Sequence, residues 1–191
     1  MRTQISIAFK FLLIMTLLTG IVYPLFMTGI AQVAFPEKAN GSFIKKDGEI
    51  LGSRLIGQKF DSSAYFWSRP SAIDYNPVPS AASNFGPTSV KLLIQVNERR
   101  KIFNTGNNIQ DTTSIPGEML FASASGLDPH TSVDAVLLQV KRIATVRHFN
   151  NSQEQRLNDL IRQNTEKRQF GILGEERINI LRLNIGLDGI K

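Results

Sequence analysis

The sequence contains no cysteine and only two histidines, His130 and His148. Without thiols there are no disulfide staples and no thiolate metal site, so the fold must rest on burial. The two histidines are neither paired nor set in a His-Glu-x-x-His spacing, which removes a zinc enzyme from consideration. A Gly-x-x-x-x-Gly-Lys-[Ser/Thr] loop is also lacking, so autonomous hydrolysis of a nucleoside triphosphate has no phosphate cradle. No basic stripe interleaved with aromatics offers a nucleic-acid surface, and no internal repeat is present. The last absence is of charge: none occurs between Lys10 and Glu37.

That uncharged stretch, Phe11 to Phe35, reads FLLIMTLLTGIVYPLFMTGIAQVAF. At about 1.5 Å per helical residue it is long enough to cross a hydrocarbon core of ~30 Å. Each Leu, Ile, Phe or Val contributes roughly −0.3 to −0.6 kcal/mol near the helix centre, outweighing Thr16, Thr19, Thr28 and Gln32. Pro24 is expected to bend the helix, while Tyr23, Gly20, Gly29 and Ala31 offer surface for other helices. A cleaved leader is the alternative, with Arg2 and Lys10 as its basic start and Gly29-x-Ala31 as its cleavage site. The apolar run is too long for a usual leader core, which favours a retained anchor. Arg2, Lys10 and the amino group precede the span, and Lys38, Lys45 and Lys46 follow it more loosely. This asymmetry and the short retained amino terminus place residues 1–10 in the cytoplasm, 11–35 in the membrane and 36–191 outside.

The remainder is one domain of ordinary size. Net charge is +6 overall; setting aside Arg2 and Lys10 leaves +4 on the soluble part, suited to anionic headgroups or an acidic partner. The expected class is α+β. Asp47-Gly48 predicts a hairpin between Ser42–Lys46 and Glu49–Leu51, the second strand extending through Gly57 with a bulge at Gly52. Tyr65-Phe66-Trp67 reads as a local hydrophobic plug on which Arg69 stacks. Residues 75–87 read as a loop. Ser89 is expected to cap a helix carrying Val90, Leu93 and Ile94, its last turns holding the cations Arg99, Arg100 and Lys101. Asn104 to Ser114 reads as an exposed connection, and Glu118–Ser123 as a short strand.

Ser123 to His130 is a tight turn ahead of a helix capped by Thr131, with Asp134 as partner in the cap. In that helix Val133, Val136, Leu137, Val140, Ile143 and Ala144 form the apolar stripe, leaving Lys141, Arg142 and Arg147 on the wet side. Ser152-x-x-Gln155 predicts a capping box for a further helix with Leu157, Leu160 and Ile161 inward. Ile178 to Ile185 reads as a final strand whose alternation slips at Ile180-Leu181.

One cluster invites chemistry. Ser123, Ser125, Asp128 and His130 hold the parts of a hydrolase, and a membrane-anchored extracytoplasmic hydrolase using this turn is the alternative reading. Their closeness in sequence argues against a triad assembled from separate elements, and no Gly-x-Ser-x-Gly elbow is present. The same turn could offer backbone N–H groups and a helix N-terminus to an anion.

Six ordered motifs bear on the family: Gly52-Ser53-x-Leu55-Ile56-Gly57-Gln58-x-Phe60, Tyr65 to Ala72, Ser83-Asn84-x-Gly86-Pro87, Ser123 to His130, Gln139-Val140-x-Arg142-Ile143-Ala144 and Gly171-x-Leu173-Gly174. Together they resemble the C subunit of the Kdp potassium-transporting ATPase, over nearly the whole chain. The resemblance implies a non-catalytic subunit of a bacterial inner-membrane pump, partnered by a pore-forming potassium-binding subunit and a P-type ATPase subunit. It also implies a catalytic chaperone that raises the ATP affinity of the hydrolysing subunit. A nucleotide contact carried over from the family falls on Ser123, Ser125, Gly126 and Gln139. With the amino terminus inside, however, the domain faces away from cytoplasmic ATP. The expectation is therefore that the chain binds no cofactor on its own, docks on the pore subunit near the ion entrance, and acts on ATP affinity indirectly.

Overall fold

The computed structural model describes residues 1–46 and 48–190 and separates into two compact units, 1–53 and 54 onward. In the first unit, α1 (Arg2–Leu17) and α2 (Tyr23–Ala34) are joined by a π-helical turn at Leu18–Val22. The apolar helix thus runs from Arg2 to Ala34, 33 residues with a mean hydropathy of 2.2 in its most apolar window and none of that window buried. It is long and apolar enough to cross a membrane, and it begins earlier than the expected boundary at Phe11. The widened turn ends just before Pro24, whose ring would otherwise press on the carbonyl one turn back. Two of its threonines meet their own needs: Thr19 Oγ1 donates to Met15 O at 2.7 Å and Thr28 Oγ1 to Pro24 O at 2.8 Å. After the single turn α3 (Pro36–Ala39), β1 (Phe43–Lys46) pairs antiparallel with β2 (Glu49–Ser53). The expected hairpin is present, although Asp47 lies outside the described residues. Its irregularity falls between Ile44 and Lys45, opposite Leu51, beside the expected Gly52. The second strand stops at Ser53, short of Gly57.

The second unit opens with residues 54–89, which form neither helix nor strand. Helices α4 (Val90–Asn107), α5 (Val133–Val146), α6 (Asn151–Asn164) and α7 (Ile180–Leu187) follow. They accompany a three-stranded antiparallel sheet in which β5 (Arg177–Asn179) lies between β3 (His130–Thr131) and β4 (Thr165–Glu166). The α+β expectation holds. Thr131 and Thr165 both face Ile178 in register, and Ile178 is fully buried. One core joins α5, α6, α7 and β5 around Phe66, Ile143, Leu157 and Leu183. The other sets Phe103 of α4 against Met119, Leu120 and Ala135.

Several local expectations are corrected. Helix α4 continues two turns past the cations, so Arg99–Lys101 lie in its middle, and Asn104 and Asn107 are buried helical residues. Ser89 precedes the helix but makes no side-chain cap, and Val90, Leu93 and Ile94 face solvent. Residues 117–119 form one 3-10 turn in place of the expected strand. Ser132, not Thr131, caps α5, accepting from Ala135 N at 3.2 Å; the capping box of α6 is Asn150 with Gln153, two residues ahead of Ser152 and Gln155. The slip at Ile180-Leu181 marks the start of α7, where Ile180, Leu181, Leu183, Asn184 and Leu187 follow a helical period and are all buried.

A segment as long as 54–89 without secondary structure needs other partners for its backbone polar groups. Side-chain amides and guanidinium groups of the helices supply them. Asn184 accepts from Phe66 N at 2.9 Å and donates to Phe66 O at 3.0 Å. Gln139 Oε1 accepts from Trp67 N at 2.7 Å, and Asn179 Nδ2 donates to Arg54 O at 2.8 Å. Arg142, expected on the wet side, is only 6% exposed: it donates to Asn107 Oδ1 and Gln139 Oε1 at 2.9 Å each and to Ser63 O. Its guanidinium carbon lies 4.4 Å from the centroid of the Trp67 ring, and Arg147 stacks over Tyr65 at 4.8 Å. These two arginines take the stacking position expected of Arg69, which pairs with Asp128 instead. The aromatic plug is real: Phe66 is fully buried.

Replacing Asn184 with Ala removes both bonds to the Phe66 backbone and is expected to cost about 2–4 kcal/mol. Arg142→Lys keeps the charge but loses the fork and is expected to cost about as much. Thermal unfolding of the full chain in detergent micelles measures both, against an Arg156→Lys control on the exposed face of α6.

Candidate functional site

The turn Ser123–His130 is gathered by the irregular segment on one side and the sheet on the other. Ser123 is buried, its N–H donating to Pro70 O at 3.1 Å and its carbonyl accepting from Gly126 N at 3.3 Å. Gly126 has φ +71°, and a Cβ there would lie 2.5 Å from Ile73 Cγ1, so the position requires glycine on two counts. Ser125 is exposed; its Oγ accepts from Leu127 N at 3.1 Å, and its carbonyl accepts from Ser80 Oγ at 2.8 Å. Gly57 N donates to Leu127 O at 2.8 Å, an approach so close that a Cβ on Gly57 would stand 2.5 Å from Asp128 O. Ile180 N donates to Pro129 O at 3.0 Å.

The turn ends in an ionic cluster. Asp128 Oδ2 accepts from Arg69 Nη1 at 2.5 Å, and Oδ1 accepts from His130 N at 2.9 Å while standing 3.7 Å from His130 Nδ1. Burial pushes the Asp128 carboxyl up, but the His130 ring, the His130 N–H and Arg69 outweigh it and hold the group below the usual carboxylate range. Tyr75, whose hydroxyl donates to Arg69 O at 2.6 Å, is pushed up to about 12, chiefly by burial. On its other side His130 Nε2 lies 4.0 Å from Glu166 Oε2, which also accepts from Arg177 Nε at 3.0 Å. Glu118 Oε1 accepts from Ser132 N at 2.8 Å, so the N-terminus of α5 already faces a carboxylate of this chain.

These groups border a cavity of about 300 Å³ lined by Arg69, Glu118, Asp128, His130, Thr131, Ser132, Glu175, Glu176 and Arg177. The structure brings Asp128 and His130 together as a pair but puts neither Ser123 nor Ser125 in that lining. The serine that is present, Ser132, spends its hydroxyl on the helix cap. Neither Ser123 nor Ser125, the nucleophiles of the hydrolase alternative, stands beside His130 in the lining, and the Thr131 hydroxyl, which does, donates to Ser132 O at 3.4 Å. The N–H groups of residues 123, 126, 127 and 130 are committed within the protein, so the turn does not hold them out to an anion.

Gln139 belongs to a different place. It is fully buried, and its side chain joins Trp67 N, Arg142 and Ala135 O, none of them in the 123–130 turn. Among the described residues, no group of three or more His, Asp or Glu is arranged to hold a metal ion. Sequence reasoning missed Arg69, Glu118, Glu166 and Arg177 as members of the cluster. Arg69 reaches Asp128 across 59 residues, while Glu118 and Glu166 meet Ser132 and Arg177 at separations of 14 and 11, and no local motif announces these pairings.

The comparisons with known proteins extend over the same ground. The KdpC family, described as the K+-transporting ATPase c chain, matches residues 5–189. The chain belongs to the KdpC family. It is 44% identical to the potassium-transporting ATPase KdpC subunit of Dechloromonas aromatica, an alignment covering 100% of this chain and 99% of that protein. The KdpC subunit of Leptospira interrogans is 46% identical over 96% of this chain and 93% of its own length. That of Mycobacterium tuberculosis strain H37Rv is 43% identical over 98% and 99%. The resemblance read from six motifs is thus a kinship over the whole KdpC length, apolar helix included.

Because Asp128 is held below its ordinary value in the folded state, its ionised form contributes stability at neutral pH. That contribution is lost as pH falls below about 4 and through the folded value. Asp128→Asn is expected to lower the thermal midpoint at pH 7 and to flatten its fall between pH 5 and 3, read by circular dichroism of the micellar full chain. Gly57→Ala is expected to cost about 1–3 kcal/mol through collision with the Asp128 carbonyl and the Tyr75 ring.

Proposed function

We propose that this chain is an accessory, non-catalytic subunit of an ATP-driven potassium uptake pump, held in the bacterial inner membrane by its N-terminal helix. The full-length KdpC kinship carries this reading. The bare apolar helix supports it, since 33 residues without internal packing partners suit lipid and neighbouring helices. The amino terminus lies in the cytoplasm and the domain from Pro36 outside, where it docks on the pore-forming subunit near the ion entrance. The P-type ATPase subunit hydrolyses ATP. This chain stabilises the assembly and raises the ATP affinity of that subunit by favouring one of its conformations, without touching the nucleotide.

The burial of Ser123, Gly126 and Gln139 supports the indirect route. Of the four residues to which a nucleotide contact was assigned, Ser125 alone presents its side chain to solvent. In the assembled complex, omission of this chain is expected to raise the KM for ATP, whereas Ser125→Ala leaves it unchanged. A rise with Ser125→Ala equal to that on omission restores direct contact. Placement is read from Thr88→Cys, at an exposed position in a chain without other thiols. Labelling of intact cells by an impermeant maleimide is expected, and protection until lysis reverses the orientation.

A further inference from the structure

Between β4 and β5 the chain projects a small hairpin tip closed entirely by its own backbone. Gln169 N donates to Leu173 O and Leu173 N to Gln169 O, both at 2.9 Å, and Ile172 N donates to Gln169 O at 3.2 Å. The two central residues of that last turn, Phe170 and Gly171, have φ of +54° and +78°. Such a turn ordinarily takes Asn-Gly or Asp-Gly, because a bulky side chain is strained in the left-handed region. Here a phenylalanine occupies it with 90% of its surface exposed, beside Ile172 at 77% and Leu173 at 58%. A strained residue and three bare apolar side chains on one turn are costs that folding alone does not explain.

The surroundings say what kind of surface meets this tip. Exposed Lys167 and Arg168 precede it, and exposed Glu175 and Glu176 follow it. An anionic bilayer attracts the first pair and repels the second. A protein socket with an apolar floor and a rim of both signs satisfies all of these groups, with the apolar anchor at the centre and the charges setting register. We propose that the 170–173 tip is the knob by which this domain docks into an apolar socket on the pore-forming subunit, carboxylates of that rim facing Lys167 and Arg168. The inference rests on the subunit reading above and names the docking face within it.

The test uses the full chain co-expressed with the other pump subunits and purified in mild detergent. A photoreactive benzoylphenylalanine at Ile172 is expected to form an adduct with the pore-forming subunit, identified by mass spectrometry, while one at exposed Asp61 forms none. Phe170→Asn separates docking from folding, since Asn accepts the left-handed conformation. It is expected to raise the thermal midpoint of this chain while lowering the recovery of partner subunits roughly tenfold. Recovery of partners with the unaltered chain tests the subunit reading by itself, and failure there removes both proposals. Partners recovered normally with Phe170→Asn, or a photoadduct found only with the ATPase subunit, only with lipid, only with a second copy of this chain, or not at all, overturns the knob alone.

Discussion

Arg142 buries a positive charge that no carboxylate among the described residues pairs with, and the groups around it make that tolerable. Its donors are met by the carbonyl oxygens of Ser62 and Ser63 and the side-chain amides of Gln139 and Asn107, while Trp67 covers its face. Burial lowers its pKa to about 10, which leaves it charged at neutral pH. Removing a charge from water is expensive unless its hydrogen-bonding directions are answered, and here two main-chain carbonyls and two side-chain amides share that task. The contact with Ser63 O serves the buried guanidinium and the irregular segment at once.

The same logic extends along the irregular segment. Asn184 takes both polar groups of Phe66, Gln139 takes the N–H of Trp67, and Arg147 Nε donates to Ala64 O at 2.8 Å. Held in this way, residues 57–81 can serve as a wall. Gly57 presses on the Leu127–Asp128 backbone, Ile73 lies against Gly126, and Arg69 reaches Asp128. The ionic cavity beside α5 is therefore a product of the amide clamps, and Gln139, a family motif residue, takes part in building the domain that borders it.

What the sequence disclosed follows from how local each signal is. The apolar helix, the hairpin and the stripe of α5, except for Leu137, which is exposed, were readable because charge absence, an Asp-Gly pair and helical spacing each act within a few residues. Of the expected strand Ile178–Ile185 only Ile178 and Asn179 are strand; the rest was misread because Ile178-Asn179-Ile180 alternates and the helical period declares itself only with Leu183, Asn184 and Leu187. Arg142 read as solvated because its partners lie on other elements. The pairing of Asp128 with His130 was visible two residues apart, whereas Arg69, Glu118, Glu166 and Arg177 reach the cluster only through the tertiary fold. Gln139 entered through a family motif, and a motif does not say whether a side chain faces a ligand or, as here, a neighbour's backbone.

The bonds from Phe66 to Asn184, Tyr65 to Asp188 and Arg54 to Asn179 close loops of 118, 123 and 125 residues. Loop closure of that length is entropically slow to find, and its partners are synthesised more than a hundred residues later. During synthesis the aromatic stretch must wait, its polar backbone wetted and its rings uncovered, until α7 exists. Maturation of this domain thus hinges on α7. A chain truncated before that helix would be unable to hide its aromatic stretch, which makes it a natural target for quality-control proteolysis.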